Sequence, residues 1–105
     1  MNRQPVKEQA MDIKEAYKQK LAAQLKEWDA QINLLEAKAG NAAADINVSR
    51  AKVIHELRAK QRMASEKLKE LGKTGGEAWD QVKVTADNIW DELKTGVAEA
   101  RSKFK

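Results

Sequence analysis

The sequence predicts an all-α fold, and three observations carry that reading. From Leu21 to Leu71 apolar residues recur at alternating steps of four and three, which places them on one face of a helix. No stretch alternates with the period of two that a half-buried strand requires. The composition is 34% charged and 5% aromatic with a single proline, Pro5, and is rich in Ala, Leu, Lys, Glu and Gln, residues that lose little rotamer freedom in a helix. The chain of 105 residues is one small domain at most. Within the all-α class the pattern predicts a long coiled-coil-type helix over about 8–71 and an amphipathic helix over about 76–104 folded back on it. The alternative is a three-helix bundle with a turn at Gly40-Asn41.

Residues 1–7 read as a flexible leader, because Pro5 lacks a backbone N–H and suits only the first turn of a helix. The long helix then carries a self-association seam of Leu21, Leu25, Trp28, Ile32, Leu35, Ile46, Val53, Leu57, Leu68 and Leu71. Gly40-Asn41 fits a helix end followed by an N-cap, which argues for the turn. Ala39, Ala42 and Ile46 keep the four-three spacing across that site, and Gly inside a helix costs only about 1 kcal/mol relative to Ala, which argues for continuity. A continuous helix would be roughly 95 Å long and could not bury its own seam. Asn47 and Ser49 near the seam are expected to restrict the register of pairing. The eleven-residue step from Ile46 to Leu57 is expected to relax the supercoil locally.

Residues 72–76 form the clearest break. Gly72 is placed for a left-handed C-terminal cap, Gly75-Gly76 disfavours helix, and Thr74 and Glu77 have capping-box spacing. In the amphipathic helix over 77–105, Trp79-Asp80-Gln81-Val82-Lys83 recurs eleven residues later as Trp90-Asp91-Glu92-Leu93-Lys94. Eleven residues overshoot three turns by only about 20°, so Trp79, Val82, Ile89, Trp90, Leu93, Val97 and Phe104 share one face. That face is read as docking on the seam or as lying in a membrane interface; a count of −1 over this segment gives anionic lipid nothing to attract.

Several function classes are excluded by what the sequence lacks. There is no cysteine, which removes disulfides and thiol chemistry. His55 has no second histidine or cysteine to share a metal, no nucleophile-and-base pair is recognisable, and no cofactor is expected. The Gly-Lys-Thr string at Gly72 lacks the earlier glycine of a phosphate loop. The N-terminus has no signal-peptide core and no run is long enough to span a membrane, so a cytoplasmic protein is expected, with peripheral membrane association as an option. The net charge of +4 is concentrated between Asn41 and Gly76, with eight basic residues against four acidic ones. Arg50, Lys52, Arg58, Lys60, Arg62, Lys67, Lys69 and Lys73 are therefore a candidate anion-binding face, although Glu56, Glu66 and Glu70 interrupt it at pairing distance.

With the stripe, the glycine break and the Trp-Asp repeat in place, the chain resembles a bacterial family of short coiled-coil stress-response proteins, with apolipoprotein-like helical repeats at the C-terminus. The resemblance covers about Tyr17 to Lys105 and rests chiefly on AWDQVK, IWDELKTGVAEARSKF and the charged helical runs before them. It implies an intracellular, non-enzymatic, self-associating protein and transfers no active-site residue. The expected function is that of a structural or interaction protein that self-associates through coiled-coil packing, with a stress-related role. Binding to a membrane or lipid surface is the alternative, and non-specific nucleic-acid binding through the basic face ranks last.

Overall fold

The computed structural model describes the backbone of residues 6–104 and the side chains of residues 13–104. Three helices follow one another: α1 (Val6–Gly40), α2 (Ala44–Lys73) and α3 (Glu77–Lys103). Helix α1 already includes Val6 and Lys7, and the rest of the expected leader lies outside the described residues.

The chain therefore turns at Gly40 rather than continuing as one long helix, and the three-helix alternative is the one realised. The turn is tight, with the Asn41 and Ala42 amides donating to the Lys38 and Ala39 carbonyls at 3.3 and 3.2 Å. Asn41 is not the cap of the next helix; Ala43 holds that position in extended backbone, and its side chain can cap nothing. Asp45 in the first turn places a carboxylate where the positive end of the helix favours it. The unbroken spacing through Ala39, Ala42 and Ile46 misled because Ile46 lies past the turn and is 48% exposed. Turning there lets each helix bury its stripe against two neighbours, a gain in apolar burial that far exceeds the loss of a few backbone hydrogen bonds.

The second break also differs from its expected chemistry. Gly72 stays inside α2, and the one glycine in left-handed backbone is Gly76, with φ 62°. Thr74 does not open α3. Its amide donates to the Leu71 carbonyl at 3.3 Å and its hydroxyl to the Glu70 carbonyl at 2.6 Å, so it closes α2, while Gly76 caps α3 without a side chain.

The helices run up, down and up. Lys14 near the start of α1 lies 5.3 Å from the Trp79 ring at the start of α3, and Arg50 early in α2 lies 4.8 Å from the Phe104 ring at the end of α3. Helix α2 packs broadly on both others, whereas α1 and α3 meet along a narrower strip. The core repeats with a period of seven: Leu21, Trp28 and Leu35 with Ile32 and Ala39 from α1, then Leu57, Ala64 and Leu71 from α2. In α3 the buried residues are Trp79, Ala86, Leu93 and Ala100, and beside them Trp90, Val97 and Phe104. Burial in α3 fits both the heptad of packed helices and the eleven-residue repeat, since Trp79 and Trp90, Ala86 and Val97, and Leu93 and Phe104 are buried eleven residues apart. The repeat puts both tryptophans inside and leaves Asp80 and Asp91 exposed.

Candidate functional site

The residues expected to join one chain to another are largely spent inside this one. Leu21, Trp28, Ile32, Leu35, Leu57 and Leu71 are buried in the bundle, and Leu25, Val53 and Leu68 pack against it. Of the seam, Ile46 alone stands exposed, and Ile54, which the four-three pattern passes over, is buried in its place. Aspartates at Leu25 and Ile32 would thus unfold the bundle whether or not the chain self-associates, because Ile32 is fully enclosed. The aromatic face of α3 is likewise internal: Trp79, Trp90, Leu93, Val97 and Phe104 are buried, with Val82 and Ile89 at its edge. It docks on the first two helices, and Trp90 donates its indole N–H to the Leu21 carbonyl at 3.3 Å.

The eight basic residues of α2 are not presented together on one face. Arg58 turns inward to α1, where Nη1 donates to Asp29 at 2.8 Å and Nε to Glu36 at 3.0 Å; Nη2 meets Asn33 and Glu36. Gln61 completes the network by donating to the same Asp29 oxygen at 2.8 Å. The Gln61 and Arg58 hydrogen bonds hold the Asp29 carboxyl below its ordinary range. Arg58 is thus a clamp between helices and is not available to a phosphate. Arg50 lies over Phe104 and donates to the Lys103 carbonyl at 3.4 Å, and Lys67 pairs with Glu70 at 2.7 Å. Lys60 is half-buried beside Glu56 and Glu99, which leaves Lys52, Arg62, Lys69 and Lys73 exposed among the acidic residues of α2.

A cluster at the α1–α3 junction was not singled out from the sequence. Tyr17 packs edge-on against Trp79 at 5.9 Å, lies under Lys83 at 4.9 Å, and donates its hydroxyl to Asp87. Burial first, then the hydrogen bond and charge of Asp87, raise the phenol's pKa well above its ordinary value. A shallow groove of about 400 Å³ runs beside it, lined by Lys20, Gln24, Trp28, Trp90, Asp91 and Lys94 among others. Among the described residues no three potential metal ligands converge, and His55 is exposed on the outside of α2.

Among the described residues the outside of α1 is one unpartnered surface, and Val48 and Met63 of α2 and Val84 of α3 are exposed as well. Ala16, Ala23, Ala30 and Ala37 recur at strict seven-residue steps and are all exposed. Ile13 and Leu34 flank them, 69% and 65% exposed, the two most exposed large apolar side chains of the described residues. Between them on the same flank, again at steps of seven, come Lys20 and Glu27. The heptad was there to be read, but alanine is so common in helices that a stripe of it looks like propensity alone.

Comparison with known proteins finds no family model, no curated protein and no solved structure that matches the chain. No described helix is long and apolar enough to cross a membrane.

Proposed function

We propose that this is a non-enzymatic structural or interaction protein that self-associates as a folded three-helix bundle. The reading is carried by the outer face of α1, a second heptad stripe with Ile13 and Leu34 exposed at its ends and, among the described residues, no element of the bundle to cover it. Within the bundle the alanines of this solvated face contribute helix propensity and bury nothing, whereas against another helix the stripe provides small residues for close approach and apolar residues to bury. The interface differs from the seam expected from the sequence, because the seam is already satisfied.

Lipid binding through α3 requires that helix to leave the bundle, exposing Trp79, Trp90, Leu93, Val97 and Phe104 together. Phosphate binding through α2 would proceed without Arg58, with four exposed cations spread along about 30 Å of helix. Sedimentation equilibrium of the full chain over a wide concentration range tests the proposal. A mass that rises from that of one chain, 11.8 kDa, to an integral multiple supports it. A single-chain mass at every concentration removes it.

A further inference from the structure

We infer that a second copy covers the outer face of α1, antiparallel, in the register that sets Ile13 against the partner's Leu34 and Lys20 against the partner's Glu27. The inference rests on the self-association proposed above and assigns its surface.

The argument is one of order along a flank. A two-fold axis that relates antiparallel helices face to face brings like flanks together. Here one flank reads Ile13, Lys20, Glu27, Leu34 at equal steps of seven. Read in reverse it is Leu34, Glu27, Lys20, Ile13. Laid one on the other, every position finds a complement: apolar on apolar at both ends, and an ion pair of opposite sense at each inner position. The same register puts the Ala23 side chains of the two copies beside the axis and Ala16 close to the partner's Ala30, where the small side chains let the backbones approach.

A parallel pair does worse. It would set this flank against Gln19, Lys26 and Asn33, leaving Ile13 and Leu34 facing polar groups. Among the described residues neither Lys20 nor Glu27 has an ion-pair partner within the chain; Glu27 only accepts a hydrogen bond from Gln31 at 3.3 Å, on its own helix. On the opposite flank the two Lys26 ammonium groups are staggered by about 7.5 Å along the axis, so they do not oppose one another directly.

The absence of cysteine from the chain makes the test direct. Under mild oxidation Ala23→Cys should give a disulfide-linked dimer, while Ala37→Cys should not, because the register separates its two copies by about 40 Å. Cross-linking of both variants would mean parallel pairing, and cross-linking of neither would mean a different surface; either overturns the inference. A charge swap supplies the second arm. Lys20→Glu or Glu27→Lys should weaken dimerisation about tenfold by replacing two attractions with two repulsions. The double variant K20E/E27K should return to within about threefold of the original. Circular dichroism should stay unchanged throughout, since none of these residues belongs to the core. If the original chain dimerises and the swaps leave its affinity untouched, self-association stands and this surface is wrong. If the original chain is a monomer, both readings fall.

Discussion

Arg58 shows how one side chain can be assigned the wrong role when only its own helix is considered. Counted along α2 it is one of eight cations; folded against α1 it holds Asp29, Asn33 and Glu36 together. Replacing Arg58 with Met should cost about 1–2 kcal/mol in urea unfolding, more than an exposed ion pair because several hydrogen bonds to charged groups go together. Asp29 has its pKa lowered in the folded state, so its contribution is full above the ordinary carboxylate range, near 3.9, and is lost as pH falls through the folded value. Asp29→Asn should therefore flatten the loss of stability between pH 5 and 3. Tyr17 acts in the opposite direction. Its pKa is raised, so the folded protein keeps a proton that the unfolded chain releases near pH 10, and the stability it brings is present below that pH and fades above it. Between pH 9 and 11 the urea midpoint of the original chain should fall further than that of Tyr17→Phe. Equal slopes would mean that neither the burial of Tyr17 nor its contact with Asp87 holds in solution.

The helices themselves were legible in the letters, and the reasons are local. Period and propensity act over one or two turns and mark the helices, and the glycines near 72–76 mark the place of the second break, though not its caps. The turn at Gly40 was harder, since its cost is local and its benefit comes from distant burial. Ala39 and Ala42 carried the stripe across it by coincidence, and Ala43 advertises no cap. The candidate surface was partly legible in the same way: Ala16, Ala23, Ala30 and Ala37 show their period, but only the fold shows that this face points outward. Gly96 in α3 is a second position that only packing explains. A Cβ there would lie 2.9 Å from Cδ2 of Leu57, so α2 and α3 approach as closely as the missing side chain allows. Gly96→Ala should be close to neutral, its helix-propensity gain offset by that contact. Gly96→Leu should cost about 1–3 kcal/mol, measured from the denaturant midpoint, because Leu57 is itself buried and has little room to move.

Taken as a whole, the bundle encloses all three of its tryptophans, Trp28, Trp79 and Trp90. Their emission should be blue-shifted in buffer and unmoved by anionic vesicles; a red spectrum that shifts blue on adding vesicles would put the lipid reading first. The number of helices has a mechanical consequence. With three passes, the described chain enters at one end of a body whose Cα atoms extend 63 Å and leaves at the other. A load applied to those two ends pulls along the helix axes, so α1 and α3 must slide past α2 in shear, with many core contacts breaking at once. A two- or four-helix hairpin, with both ends together, would instead peel open one turn at a time. Pulled at those ends the fold would therefore resist in shear, and an antiparallel copy laid along α1 would double its cross-section without adding to its length.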